Sequence, residues 1–469
     1  MPHLKPYWML YCMFMSHWML HWMPQKEDHD MRRILGSVLV LAFLLSFSFV
    51  SYAGDKTAAS RNQDSGGYSS LNMSIPVNCY GPSDIYLPSD LDTKSIEGIT
   101  IAKGSTYVPA KIVINDDIMT ITPADYFEYN GDYAIKIFTK TNRYVIPLRA
   151  INLPVTESYD GKIIKVPPNK EKGFNYPYYL YLPEHMESTK SEKKRLIVEP
   201  NNTGSVSDVL EYHDEAAYRT AEANGNPGHY AAYYLNYPFL VPVFPRPYTN
   251  WWKSYTHALD KGAMLLDGEA KRLDKQLIAM IEDAKSILTK MGYKMESKVF
   301  MTGFSASGQF VNRFSTLHPE VVKAIAVGGF TMYPAAKLNG VTLNYPWGIA
   351  DIKNYTGKEF NKKEYDKIAQ FCYIGDQDDH DQPFNVDYGI SEEETKAVND
   401  LFGYDYGVPK WERKWKFIQQ IGYDKSIQFN IYNGIGHGIS DNVLKDVLEF
   451  FKANNGDKIV KIKAHSTAY

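Results

Sequence analysis

Lys298-Val299-Phe300-Met301-Thr302-Gly303-Phe304-Ser305-Ala306-Ser307-Gly308 passes from an apolar, β-prone run into a serine set among small residues. Beyond it, Gln309, Phe310, Val311, Phe314 and Leu317 continue at helical spacing. A strand that turns sharply into a helix at a serine is the geometry of a nucleophile elbow. Small residues two before and two after such a serine let strand and helix pass close together while its own backbone is strained. Gly303 and Ser307 supply them, with Gly308 behind. A pentad like this arises by chance in many sequences, so its weight comes from the order of the residues around it.

A nucleophilic serine needs a base to take its proton, an acid to orient that base and donors for the oxyanion. On a strand-to-helix elbow the chain order is serine, then acid, then histidine, and that order is present. The apolar run Phe371-Cys372-Tyr373-Ile374 leads into Gly375-Asp376-Gln377-Asp378-Asp379. Later, 427–431 leads into Asn433-Gly434-Ile435-Gly436-His437-Gly438. A histidine between glycines, in the loop after the last strand, can reach the elbow; a surface loop histidine is the plainer alternative. Asp376, Asp378, Asp379 and Asp381 crowd one loop, which also fits a solvated turn or a weak calcium site. Asp378, three residues after the glycine that ends the strand, is the expected acid, with Asp376 next in line.

One oxyanion donor is expected to be the backbone N–H of Ala306, directly after the nucleophile. Arg195-Leu196-Ile197-Val198-Glu199-Pro200-Asn201-Asn202-Thr203-Gly204 has the form of an apolar strand running into small polar residues, and either Asn202 or Thr203 fits the second donor. An ordinary turn with asparagine caps fits the same run. Tyr248, Trp251 and Trp252 follow the strand 240–244 on the side where ligands sit in such sheets, so they are candidate substrate contacts; packing explains them equally. Trp411 and Trp415, four apart, read as a helix face. His257 and Asp260 read as structural. His213 lacks the second histidine of a zinc-protease motif, and phosphate-binding glycine loops are absent.

From about residue 158, strands near 178–182, 195–198, 240–244, 299–302, 323–327, 371–374 and 427–431 alternate with helices near 209–223, 269–291, 306–317 and 442–453. Leu273, Leu277, Ile278, Ile281 and Ala284 form one amphipathic stripe. This alternation predicts a mostly parallel sheet covered on both faces, an α/β domain over 158–457 with a tail at 458–469. Connections near 331–370 and 379–426 are long enough to fold over the site as a cap. Residues 72–153 instead show short β segments divided by turns such as Asn115-Asp116-Asp117 and Asn130-Gly131-Asp132. They predict a small all-β sandwich, resembling the immunoglobulin-like domains of bacterial surface and secreted proteins, notably from Pro123 to Tyr133 and on through Ile137.

Two folded units suit 469 residues, and 44% hydrophobic with 22% charged residues suits a soluble globular protein. A net charge of −3 gives no electrostatic footprint for nucleic acid. Met31-Arg32-Arg33, the apolar stretch 34–50 and Ser51-Tyr52-Ala53 read as a secretory signal, with removal of 1–53 expected. A retained membrane anchor is the alternative; no stable anchor is expected after cleavage. Translation is expected to begin at Met31, although His3, His17, His21 and His29 upstream suggest a metal-binding tract. Residues 54–71 read as a flexible leader. Cys79 and Cys372 fall in different predicted domains and are expected to be free thiols.

Glu199-Pro-Asn-Asn-Thr-Gly204, Tyr255-Thr-His-Ala-Leu-Asp260, Gly303-Phe-Ser-Ala-Ser-Gly-Gln309 and Gly434-Ile-Gly-His437 together resemble the α/β-hydrolase superfamily. Within it they look like the secreted esterases of the polyhydroxybutyrate-depolymerase-like and carbohydrate-esterase-like branch. Ser307 stands where a glycine is usual, and Asn201-Asn202 where many relatives carry His-Gly. The resemblance implies a serine hydrolase without metal or cofactor, acting on an ester, polysaccharide- or polyester-linked esters included. Ser305, His437 and Asp378 would be its triad. A peptidase on the same fold and a surface or binding protein that has lost chemistry are the alternatives.

Overall fold

The computed structural model describes residues 74–202, 204–251, 253–380 and 390–468. The expected signal segment 1–53 and the leader 54–71 lie outside them. No helix among the described residues is long and apolar enough to cross a membrane.

A ten-stranded sheet organises the larger part of the chain. In chain order its strands are β1 (Val155–Glu157), β2 (Gly161–Val166), β3 (Tyr178–Pro183), β4 (Ile197–Val198), β5 (Phe239–Pro242), β6 (Val299–Phe304), β7 (Val322–Gly328), β8 (Ala369–Gly375), β9 (Ile427–Tyr432) and β10 (Thr467–Ala468). Their order across the sheet is β10-β9-β8-β7-β6-β4-β5-β3-β2-β1. All pairings from β9 across to β5 are parallel, and the flanking ones are antiparallel. The sheet begins before the expected boundary at 158, because Val155 to Glu157 pairs with β2. The segment read as a tail returns to the sheet: Thr467 and Ala468 pair with Ile431 and Asn430.

Side chains alternate between two cores, as the two-residue period of a strand requires. Val299, Met301, Ile325, Val327, Cys372 and Ile374 enter one core, which they share with α3 (Leu273–Lys290) and α4 (Ala306–Leu317). Phe300, Ala324, Ala326, Phe371 and Tyr373 enter the other, beneath α1 (Leu210–Glu222), α2 (Pro227–Leu235) and α7 (Asp441–Ala453). Burial on both faces explains why these strands read as continuous apolar runs. Of the connections expected as a cap, the described parts pack into the first core. Tyr333, Trp347 and Tyr365 are buried there, as are Phe402 of α5 (Glu392–Phe402) and Trp411, Trp415 and Phe417 of α6 (Val408–Gln420).

Residues 75–152 form a five-stranded and a three-stranded sheet around one shared core, with Ile85, Met119 and Ile121 facing Ile101, Ile135, Ile137 and Leu148. Lys103 ties this unit to the larger one through Glu171, at 2.7 Å. Cys79 and Cys372 are free and buried. Burial pushes the Cys79 thiol up to about 12.

Candidate active site

The parallel strands β6, β8 and β9 end on the same edge of the sheet, and the three expected site residues follow them directly. Ser305 sits between β6 and α4 with φ 58° and ψ −122°. A left-handed backbone at a residue with a side chain costs about 1–3 kcal/mol, so the surroundings must hold it. The Ser305 N–H donates to Gly328 O at 3.0 Å, and Gln309 N–H donates to Ser305 O at 3.0 Å. A methyl group on Gly303 would lie 2.6 Å from the Ser307 carbonyl, which leaves glycine the only residue that fits. The Ser307 hydroxyl accepts from Phe304 N–H at 3.0 Å and donates to Phe304 O at 2.9 Å. Serine in place of the usual glycine thus staples the turn.

Asp378 and His437 meet. The imidazole Nδ1 lies 3.1 and 3.0 Å from the two carboxylate oxygens. Asp378 also accepts from His380 N–H at 2.9 Å. Burial alone would raise the Asp378 carboxyl, but the hydrogen bonds from His437 and the His380 backbone outweigh it and hold its pKa below the ordinary value. The other candidate acid faces elsewhere: Asp376 accepts from Gly434 N–H at 2.7 Å and Ile435 N–H at 3.3 Å, bracing the histidine loop. Gly375 lets the two loops touch, since a methyl there would lie 2.1 Å from Ile435 O.

The ring of Phe304, one residue before Ser305, packs on the His437 imidazole with centroids 4.7 Å apart. This brings the histidine to the elbow. Among the described residues neither the Ser305 hydroxyl nor His437 Nε2 makes a hydrogen bond, so both are available to a substrate; such contacts commonly tighten only in the complex.

Ala306, buried at the N-terminus of α4, offers a backbone N–H with no acceptor among the described residues. Helix N-termini favour negative charge there. Asn202 is set beside the elbow by its Nδ2, which donates to Phe304 O at 3.4 Å. Thr203 and Trp252 lie outside the described residues. Tyr248 and Trp251 are exposed, 59% and 42%, on the connection after β5, with that connection held by Thr249 donating to Asp208.

Two contributions were not read from sequence. Asn201 is fully buried and pairs with the Phe244 backbone in both directions, at 2.9 and 3.0 Å, locking the end of β4 to the end of β5. His380 stacks on His437 with centroids 4.2 Å apart. Asp378, His380 and His437 are also the one group of potential metal ligands found among the described residues, their atoms lying within 4.8 Å of each other. The stacked rings are only 21° apart in plane. Their in-plane lone pairs therefore run side by side instead of converging on one ion. His257 donates to Phe244 O at 2.8 Å, and Asp260 caps the short helix Lys261–Met264.

No protein-family model and no curated protein matches the sequence. Among solved structures, the chain is similar to an S-formylglutathione hydrolase from Agrobacterium tumefaciens at 12% identity and a TM-score of 0.37, over 64% of this chain and 97% of that one. It is similar to the siderophore hydrolase EstB from Aspergillus nidulans at 15% identity and TM-score 0.34, over 66% and 99%. Est1E from Butyrivibrio proteoclasticus gives 13% identity and TM-score 0.29, over 64% and 98%. The fold is described by its strand order and the site by its geometry.

Proposed function

We propose that this protein is a serine hydrolase that cleaves carboxylic esters through an acyl-enzyme. The observation that carries the reading is the Asp378–His437 pair, presented beside a serine in a strained turn on the same sheet edge. Ser305 Oγ attacks the ester carbonyl while His437 Nε2 takes its proton. Asp378 holds the imidazole in the tautomer that leaves Nε2 free and stabilises the imidazolium. The developing oxyanion meets the Ala306 N–H and a donor from Asn202 or Thr203. His437 returns its proton to the departing alcohol, then activates water to release the acyl group. Every proton passes through His437, so the cycle calls on no cofactor. The aromatic residues after β5 support esters attached to a polysaccharide or polyester, and the apolar stretch 34–50 supports export before the enzyme acts.

Hydrolysis of 4-nitrophenyl butyrate tests the reading. Purified protein should turn it over, and Ser305→Ala should lose activity by at least about a thousandfold while unfolding at an unchanged temperature. Equal rates from the two proteins would refute it, and release of amines from peptides without ester turnover would favour a peptidase.

A further inference from the structure

Asp378 holds His437 at one atom. Its carboxylate oxygens meet Nδ1 at 3.1 and 3.0 Å, and a hydrogen bond at one nitrogen leaves a ring able to swing about it. The direction of Nε2 is therefore set by what touches the rest of the imidazole. Two rings do. Phe304, at the end of β6, lies 4.7 Å away centre to centre at a tilt of 43°. His380 lies 4.2 Å away and only 21° from parallel.

His380 is itself anchored on the side of the acid. Its backbone N–H donates to Asp378 Oδ1 at 2.9 Å, and its Nδ1 lies 2.9 Å from Asp379 Oδ1. One residue thus ties both members of the pair, the carboxylate through its backbone and the imidazole through its ring. The two contacts make different demands on the side chain. Any residue but proline supplies the N–H, whereas the stack needs a flat ring. The His380 side chain is 61% exposed, so burial of an apolar group does not explain its place against the base. A ring with a polar edge can stay wet and still cover an aromatic face.

We propose that His380 is a positioning residue for ester hydrolysis, its ring holding the His437 imidazole in the orientation from which Nε2 reaches Ser305. This role deepens the reading of Ser305 and His437 as nucleophile and base, and rests on it. Without the ring, His437 keeps its contact with Asp378 but turns about it, and Nε2 spends part of its time away from the hydroxyl. Ester binding is untouched, because His380 acts through the base and not on the substrate. A misplacement of about 1 Å costs on the order of a hundredfold in rate.

Hydrolysis of 4-nitrophenyl butyrate by His380→Ala and His380→Phe, beside the parent, tests the role. His380→Ala should lower kcat by about 10- to 100-fold at unchanged KM. His380→Phe, which keeps a flat ring, should recover kcat to within about threefold of the parent. Both variants should unfold at the parent's temperature, since the side chain is exposed. An alanine variant as fast as the parent, a change in KM alone, or a loss that phenylalanine does not restore would overturn the proposal. Nuclear Overhauser contacts between the ring protons of His437 and Phe304, in protein labelled at histidine and phenylalanine, read the orientation without turnover. They should weaken in His380→Ala and return in His380→Phe; equal contacts in all three proteins would overturn the proposal. A parent that leaves the ester intact while these contacts follow the expected order would support the positioning role and count against the hydrolase.

Discussion

Both carboxylate oxygens of Asp378 lie within hydrogen-bond distance of the Nδ1 of His437, at 3.1 and 3.0 Å. The contact fixes Nδ1 as the protonated nitrogen and leaves Nε2 as the base. Asp378→Asn is expected to lower kcat by about 10⁴-fold with little change in KM, because the wrong tautomer is then favoured. Asp376→Asn should cost less than about tenfold in kcat, since that carboxylate braces the Gly434 and Ile435 amides. Steady-state kinetics on the two variants distinguishes the roles.

Gly375 is where the acid loop and the histidine loop touch, and an added methyl would lie 2.1 Å from Ile435 O and 2.7 Å from Gly436 O. Both are backbone atoms, so the histidine loop has to move. Gly375→Ala is expected to reduce kcat/KM by about a hundredfold, the scale of a misplacement near 1 Å. Thermal unfolding measured alongside should show a loss of about 1–3 kcal/mol.

The Ser307 hydroxyl makes two hydrogen bonds to the Phe304 backbone. Ser307→Ala is expected to destabilise the protein by about 1–2 kcal/mol in urea unfolding. Labelling of Ser305 by an acylating inhibitor should slow in the same variant, because the turn that holds the nucleophile loses its staple.

Glu199 is buried beyond the end of β4, and burial raises its carboxyl to about 7, against the opposing hydrogen bond from Gly228 N–H. Between the ordinary carboxylate value and about 7 the unfolded chain has released this proton and the folded chain still holds it. Stability from this group therefore falls as pH rises through that window, by roughly 3 kcal/mol in all. Glu199→Gln should become progressively more stable than the parent from pH 4.5 to 7 and hold its advantage above that range. Denaturant midpoints of the two proteins measured across pH check the sign.

The elbow was legible because two signals coincide there: a β-prone run with a change of period, and small residues where strand and helix touch. Residues 306–317 were read as a helix and form one with the same bounds. The acid was harder, since four aspartates within six residues look alike in sequence; only the fold turns Asp376 toward amides and Asp378 toward imidazole. The helix Pro227–Leu235 went unread because its nine residues are short and rich in tyrosine and alanine, without a clear apolar stripe. Trp411 and Trp415 were read as a packed helix face, and both rings lie 5.2 Å from Phe429.

The central claim is that the Ser305 hydroxyl is made nucleophilic by His437. Incubation with a fluorophosphonate, followed by intact-mass and peptide mass spectrometry, measures this directly. The account predicts one phosphonyl adduct, on Ser305, absent from Ser305→Ala and greatly slowed in His437→Ala. A folded protein that takes no label, or takes it on another residue, would contradict the account.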